Sequence, residues 1–113
     1  MTKIKFFKAQ DRFVGFECSG HTGYDEFGRD ILCATLSGIT QACVMGIQNV
    51  LHIKASVIKN DDNGYLKIEL PHNLDESKLR DSQILLETLY ISVSDLISGY
   101  SKYISMEVIE NDY

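Results

Sequence analysis

The sequence is short of the features that mark several common protein classes. Its start, Met1-Thr2-Lys3-Ile4-Lys5-Phe6-Phe7-Lys8, interleaves lysines with apolar residues, where a secretory signal would carry an unbroken apolar core and a small-residue cleavage site. No apolar run approaches the length that crosses a bilayer, so no membrane association is expected. Cysteine is scarce, at three residues (Cys18, Cys33 and Cys43) with no CxxC spacing. That pattern argues against a disulfide framework or a zinc knuckle and for reduced thiols in a cytoplasm. A basic excess is also missing. Eleven Lys and Arg face sixteen Asp and Glu, a net charge of -5. Such a chain is repelled by phosphate backbones, so direct nucleic-acid binding is not expected, whereas basic proteins or peptides are attracted. Internal repeats, low-complexity tracts and linkers are absent, and the single proline, Pro71, falls at the end of an apolar segment.

What remains is an ordinary globular composition, 44% hydrophobic and 24% charged over 113 residues, enough for one domain over residues 1–113 with a buried core. Ile4 and Phe6 alternate with lysines, which predicts a strand over about residues 2–8. Val14, Phe16 and Cys18 predict a second, with Gln10-Asp11-Arg12 as the hairpin turn between them. A glycine-rich stretch without period, residues 20–29, reads as a surface loop. From Ile31 to about Leu51 the spacing of Ile39, Cys43, Ile47, Val50 and Leu51 is helical, with Asp30 placed as N-cap. Residues 53–59 and 65–70 form a second alternating pair around Asn60-Asp61-Asp62-Asn63-Gly64. Asn73 to Glu76 resembles a capping box ahead of Leu79, Leu86, Leu89, Tyr90, Val93, Leu96 and Ile97 at helical spacing, with Gly99 as the stop. A strand from Tyr103 to Ile109 completes the order β-β-α-β-β-α-β. The class is α+β, a mostly antiparallel sheet with two helices packed on one face.

Chemistry concentrates between Ser19 and Ser37. With Asp30 as cap, Cys33 falls in the first helical turn, where backbone N–H groups lack intrahelical partners and the helix dipole is positive. Both effects stabilise a thiolate, and the same N–H groups can hold an oxyanion. His21 precedes the helix by a nine-residue connection, which can turn back and bring imidazole to thiol. A single cysteine is more often a small buried hydrophobe. Cys18 and Cys43, on apolar faces, fit that ordinary role; Cys33, beside a polar loop, fits it less well. His52 and His72 have no partner motif. Asp30 has two competing uses, helix cap or orienting carboxylate for His21, and a structural or loop-anchoring role is favoured over catalytic assistance. Ser37, one turn beyond Cys33, either lines the site or packs there. His21 and Cys33 supply at most two metal ligands, so no metal site is expected.

The run Gly20-His21 … Gly28-Arg29-Asp30-Ile31-Leu32-Cys33-Ala34 … Ser37 resembles the signature of the ribosomal-processing cysteine proteases, and length and element order extend the resemblance over nearly the whole chain. It departs from the commonest pattern at Thr22 and Leu32, neither of which touches the chemistry. The resemblance implies Cys33 as nucleophile and His21 as its partner, with no cofactor. It also implies a homodimer, and as substrate the precursor of the large-subunit ribosomal protein numbered twenty-seven. Its N-terminal extension would be removed after a pair of phenylalanines and before a small residue. The alternative is a noncatalytic ribosome-associated adaptor whose acidic face docks on basic proteins. A redox sensor would require a resolving cysteine, and Cys43, about 15 Å along the same helix, is too far from Cys33.

Overall fold

The computed structural model describes residues 1–20, 31–62 and 64–110. Strand β1 (Thr2–Ala9) turns directly into β2 (Arg12–Ser19). Gln10 and Asp11 take φ of 53° and 64°, the left-handed pair that a two-residue hairpin turn matching strand twist requires. The pairing runs from Lys3 opposite Ser19 to Ala9 opposite Arg12, with a bulge where Val14 is left unpaired. Leu70 N–H donates to the Val14 carbonyl at 2.8 Å, and the Gln83 side chain bonds both the N–H and the C=O of Phe13, each at 2.8 Å. At the irregularity the Phe13 N–H and C=O and the Val14 C=O thus all find partners.

Helix α1 (Ile31–Met45) continues into a π-helical turn over Gly46–Val50. Leu32, Leu36, Thr40, Cys43, Val44 and Ile47 form its buried stripe. Gly46 sits where this helix meets the next. A Cβ there would lie 2.8 Å from Leu85 Cδ1. Ile31–Val50 as a whole is 20 residues long and, by length and composition, apolar enough to cross a membrane. This corrects the expectation that no segment approaches that span: Thr35, Ser37, Thr40 and Gln41 interrupt the run in sequence without making the average polar. Here its inner stripe belongs to the core shared with the sheet.

Strands β3 (Ser56–Asn60) and β4 (Tyr65–Glu69) pair antiparallel, with Asn60 opposite Tyr65. In their turn Asn60 Oδ1 accepts from Asp62 N–H at 3.1 Å, and Gly64 has φ of 60°. The strand expected from residue 53 begins only at Ser56; Ile53 is buried ahead of it, bonding back to the Ile47 carbonyl at 3.0 Å. Helix α2 (Glu76–Tyr100) is capped by Asp75, whose carboxylate accepts from Lys78 N–H at 2.8 Å. The expected Asn73–Glu76 box is thus displaced by two residues. Nor does Gly99 stop the helix, since it remains helical and the cap is Ser101.

Strand β5 (Ile104–Glu110) returns parallel to β1, giving the sheet order β3-β4-β2-β1-β5. The other pairings, β1 with β2, β2 with β4 and β3 with β4, are antiparallel. Both helices lie on one face, where Ile4, Phe6, Phe16, Ile68 and Ile104 meet Leu36, Ile47, Leu86 and Val93. The α+β class, the element order and the two-helix face are as expected from the sequence.

Candidate active site

The pairing register builds the floor of the site. Lys59 of β3, Leu66 of β4, Cys18 of β2 and Ile4 of β1 stand in one row across four strands. Because strand side chains alternate, all four point to the same sheet face, and Ile4 and Leu66, both buried in the core, identify it as the helical one. The beginning of α1 covers one end of this row. Between them lies a cavity of about 160 Å³, lined by Cys33, Ser37 and Thr40 from the helix and by Cys18, Leu66 and Lys59 from the sheet. Its rim includes Gly20, Asp61 and Tyr65.

Cys33 is the third residue of α1 and is half-buried. Its sulfur belongs to the first turn of the helix as described, the end at which the helix dipole is positive. Ser37, one turn on, shares the cavity and accepts a hydrogen bond from Gln41 Nε2 at 2.8 Å. Of the two roles open for Ser37, the structure supports lining. Thr40 is buried and donates back to the Leu36 carbonyl at 2.7 Å, so its hydroxyl proton is committed to its own helix. At the end of β2, Gly20 has φ of 90°, and a Cβ there would stand 2.8 Å from the Met1 carbonyl oxygen. A side chain at this position would meet both a left-handed backbone and a clash.

His21 and Asp30, with Gly23 and Gly28, lie outside the described residues. His52 is exposed, with φ of 55°, and its carbonyl accepts from Lys78 Nζ at 3.2 Å. His72 is exposed, and neither His52 nor His72 borders the cavity.

The three cysteines are all reduced thiols, and their surroundings differ. Cys43 is buried, donates weakly to the Leu85 carbonyl at 3.7 Å, and has its thiol pushed up to about 12 by burial. Cys18 is pushed up to about 11, chiefly by burial, then by the negative charge of Cys33 and of Glu17. Cys18 therefore stays protonated at neutral pH. The sequence alone groups Cys18 with the ordinary packing cysteines; the alternation of β2 puts it on the core face, but only the pairing register and the position of α1 bring it to the cavity. Lys59 and Tyr65 were likewise missed. Tyr65 Oη donates to Glu17 Oε2 at 2.7 Å, which pushes the phenol up to about 12, with burial adding to the shift. Lys59 Nζ lies 3.6 Å from Asp61 Oδ1, an exposed pair at the cavity edge.

A reduced cysteine in the first turn of a helix, opening onto a cavity at a sheet edge, is an arrangement suited to acyl transfer. Comparison with known proteins agrees. The family model for the cysteine protease Prp matches residues 1–105. The ribosomal processing cysteine protease Prp of Bacillus subtilis is 26% identical over 100 residues, covering 88% of this chain and 78% of that protein. A Streptococcus mutans crystal structure shares the fold at a TM-score of 0.85 with 23% identity, covering 98% of this chain and 96% of the other. The Staphylococcus aureus ribosomal processing protease Prp, solved with a covalently linked product peptide, does so at a TM-score of 0.83 with 22% identity, covering 96% and 100%. With nearly the whole length matched and the fold shared, the chain belongs to the family of the cysteine protease Prp.

Proposed function

We propose that Cys33 is the nucleophile and His21 the proton-transfer partner of a cysteine endopeptidase that trims a ribosomal protein. The observation that carries the reading is the position of Cys33, half-buried in the first turn of α1 and facing a cavity open to the surface. In this reading the Cys33 thiolate adds to the scissile carbonyl, and first-turn N–H groups receive the developing oxyanion. His21 gives its proton to the departing amine and then takes one from the water that hydrolyses the thioester. The apolar part of the cavity, Leu36 and Leu66, suits a peptide side chain beside the reacting carbonyl. Family membership favours this over a noncatalytic adaptor, which has no use for a thiol placed in this way.

The substrate proposed is the precursor of the large-subunit ribosomal protein numbered twenty-seven, cut after two phenylalanines and before a small residue. The net charge of -5 favours a basic ribosomal substrate. A homodimer acting in the cytoplasm completes the proposal. Incubation with that precursor, followed by mass measurement of the products, tests it. A single cut between the phenylalanine pair and the small residue is expected. An intact precursor, or equal cutting by the Cys33→Ala protein, would overturn the assignment.

A further inference from the structure

We propose that Cys18 is the resolving thiol of Cys33: when a hydroperoxide oxidises Cys33, Cys18 closes a Cys18–Cys33 disulfide across the cavity and holds the enzyme in a reversibly blocked state. The proposal rests on the reading of Cys33 as the reactive nucleophile. Both cysteines line the same cavity, one from β2 and one from the first turn of α1. The row that sets Cys18 between Ile4 and Leu66 directs its sulfur to the helical side of the sheet. The two thiols are near enough that the charge of Cys33 raises the pKa of Cys18. Cys43 lies ten residues along α1 from Cys33, about 15 Å by helical rise, and cannot serve.

The chemistry proceeds in two steps. The Cys33 thiolate attacks the peroxide O–O bond, which breaks; one oxygen stays on sulfur as sulfenic acid once protonated, and the other leaves as water or an alcohol. The peroxide is reduced by the two electrons that sulfur gives up. Cys18 sulfur then attacks the Cys33 sulfur, an S–S bond forms, and the sulfenic hydroxyl leaves as water with the Cys18 proton. A dithiol reductant reverses the block by exchange, becoming a disulfide itself. Protonated at neutral pH, Cys18 does not compete with Cys33 for peptide carbonyls. It meets an electrophilic sulfur only after Cys33 has been oxidised, and loss of its proton makes closure of the disulfide the slower step. Closing the disulfide also keeps Cys33 from the sulfinic state, which ordinary thiols do not reverse.

The test treats the protein with hydrogen peroxide, alkylates remaining thiols under denaturing conditions, then reduces and applies a second, distinguishable alkylating label. Peptide mapping is expected to find the second label on Cys18 and Cys33 together and the first on Cys43. Peptidase activity after peroxide and then dithiothreitol, each protein scaled to its own untreated rate, is expected to recover at least about tenfold better in the wild type than in Cys18→Ser. The first label on Cys18 in the peroxide-treated wild type would overturn the proposal, as would equal recovery by the two proteins. The mapping needs neither a variant nor turnover, so its failure is separable from failure of the protease assignment.

Discussion

The two ends of this molecule are built on different principles. Where α2 crosses β1 and β2, Phe6, Phe13, Phe16 and Tyr90 form a ring cluster with centroid separations of 5.3 to 5.9 Å, and Phe6 and Phe16 are wholly buried. The Gln83 amide ties that helix to the strand backbone. Where α1 begins, the sheet is not sealed. A row that is apolar at Ile4 and Leu66 gives way to a thiol at Cys18 and an exposed cation at Lys59. The helix contributes Cys33 and Ser37 to the same space. The first region supplies stability and the second exposes chemistry, so substitutions in the two should act on different observables.

Phe6→Ala gives the largest expected effect on stability. It removes a fully buried ring from the cluster and should cost about 3–5 kcal/mol in a urea titration. A loss below about 1 kcal/mol would mean that the cluster is not what holds this end together. Gln83→Ala is the finer probe. It leaves the Phe13 N–H and C=O without their partner and should cost about 1–3 kcal/mol, while kcat/KM per folded molecule stays unchanged. A fall in that rate would join the two ends and break the contrast. Asp75→Ala, which removes the α2 cap, should cost about 1 kcal/mol, read from the thermal midpoint.

The smallest effect near neutrality concerns pH. Burial raises the folded-state pKa of Cys18 to about 11 and of Cys43 to about 12. The folded state therefore binds these protons more tightly than the unfolded chain. Their contribution is fully present below the unfolded thiol pKa and is lost as pH rises through the folded values. Urea midpoints should be flat in this respect up to about pH 8 and should fall from there towards pH 11, with Cys43→Ala showing a shallower fall than the wild type. An equal slope in both proteins would show that Cys43 is not the group responsible.

Much of this architecture is legible from periodicity. The alternation of Ile4 and Phe6, and the helical spacing of Leu79, Leu86, Leu89 and Val93, follow from which face each element must bury. The failures have local physical causes. Asn73 and Asp75 both precede α2, and local preference alone does not decide which of them bonds an N–H; Asp75 does. Gly99 is a poor helix former but has open space around it, so α2 runs through it to Tyr100. For the site, a spacing motif points to Cys33. Cys18 is fifteen residues away, and its arrival at the same cavity depends on pairing between β1, β2 and β4 together with the placement of α1. Those long-range relations leave no mark on the residues beside Cys18.

The most direct measurement is to trap the acyl intermediate. A peptide ester carrying the cleavage sequence is mixed with the protein, the reaction is quenched in acid, and the adduct is located by mass spectrometry. The acyl group should reside on Cys33 as a hydroxylamine-sensitive thioester, and the Cys33→Ala protein should form none and cleave nothing. An adduct on another residue, or turnover that survives Cys33→Ala, would contradict the assignment of the nucleophile.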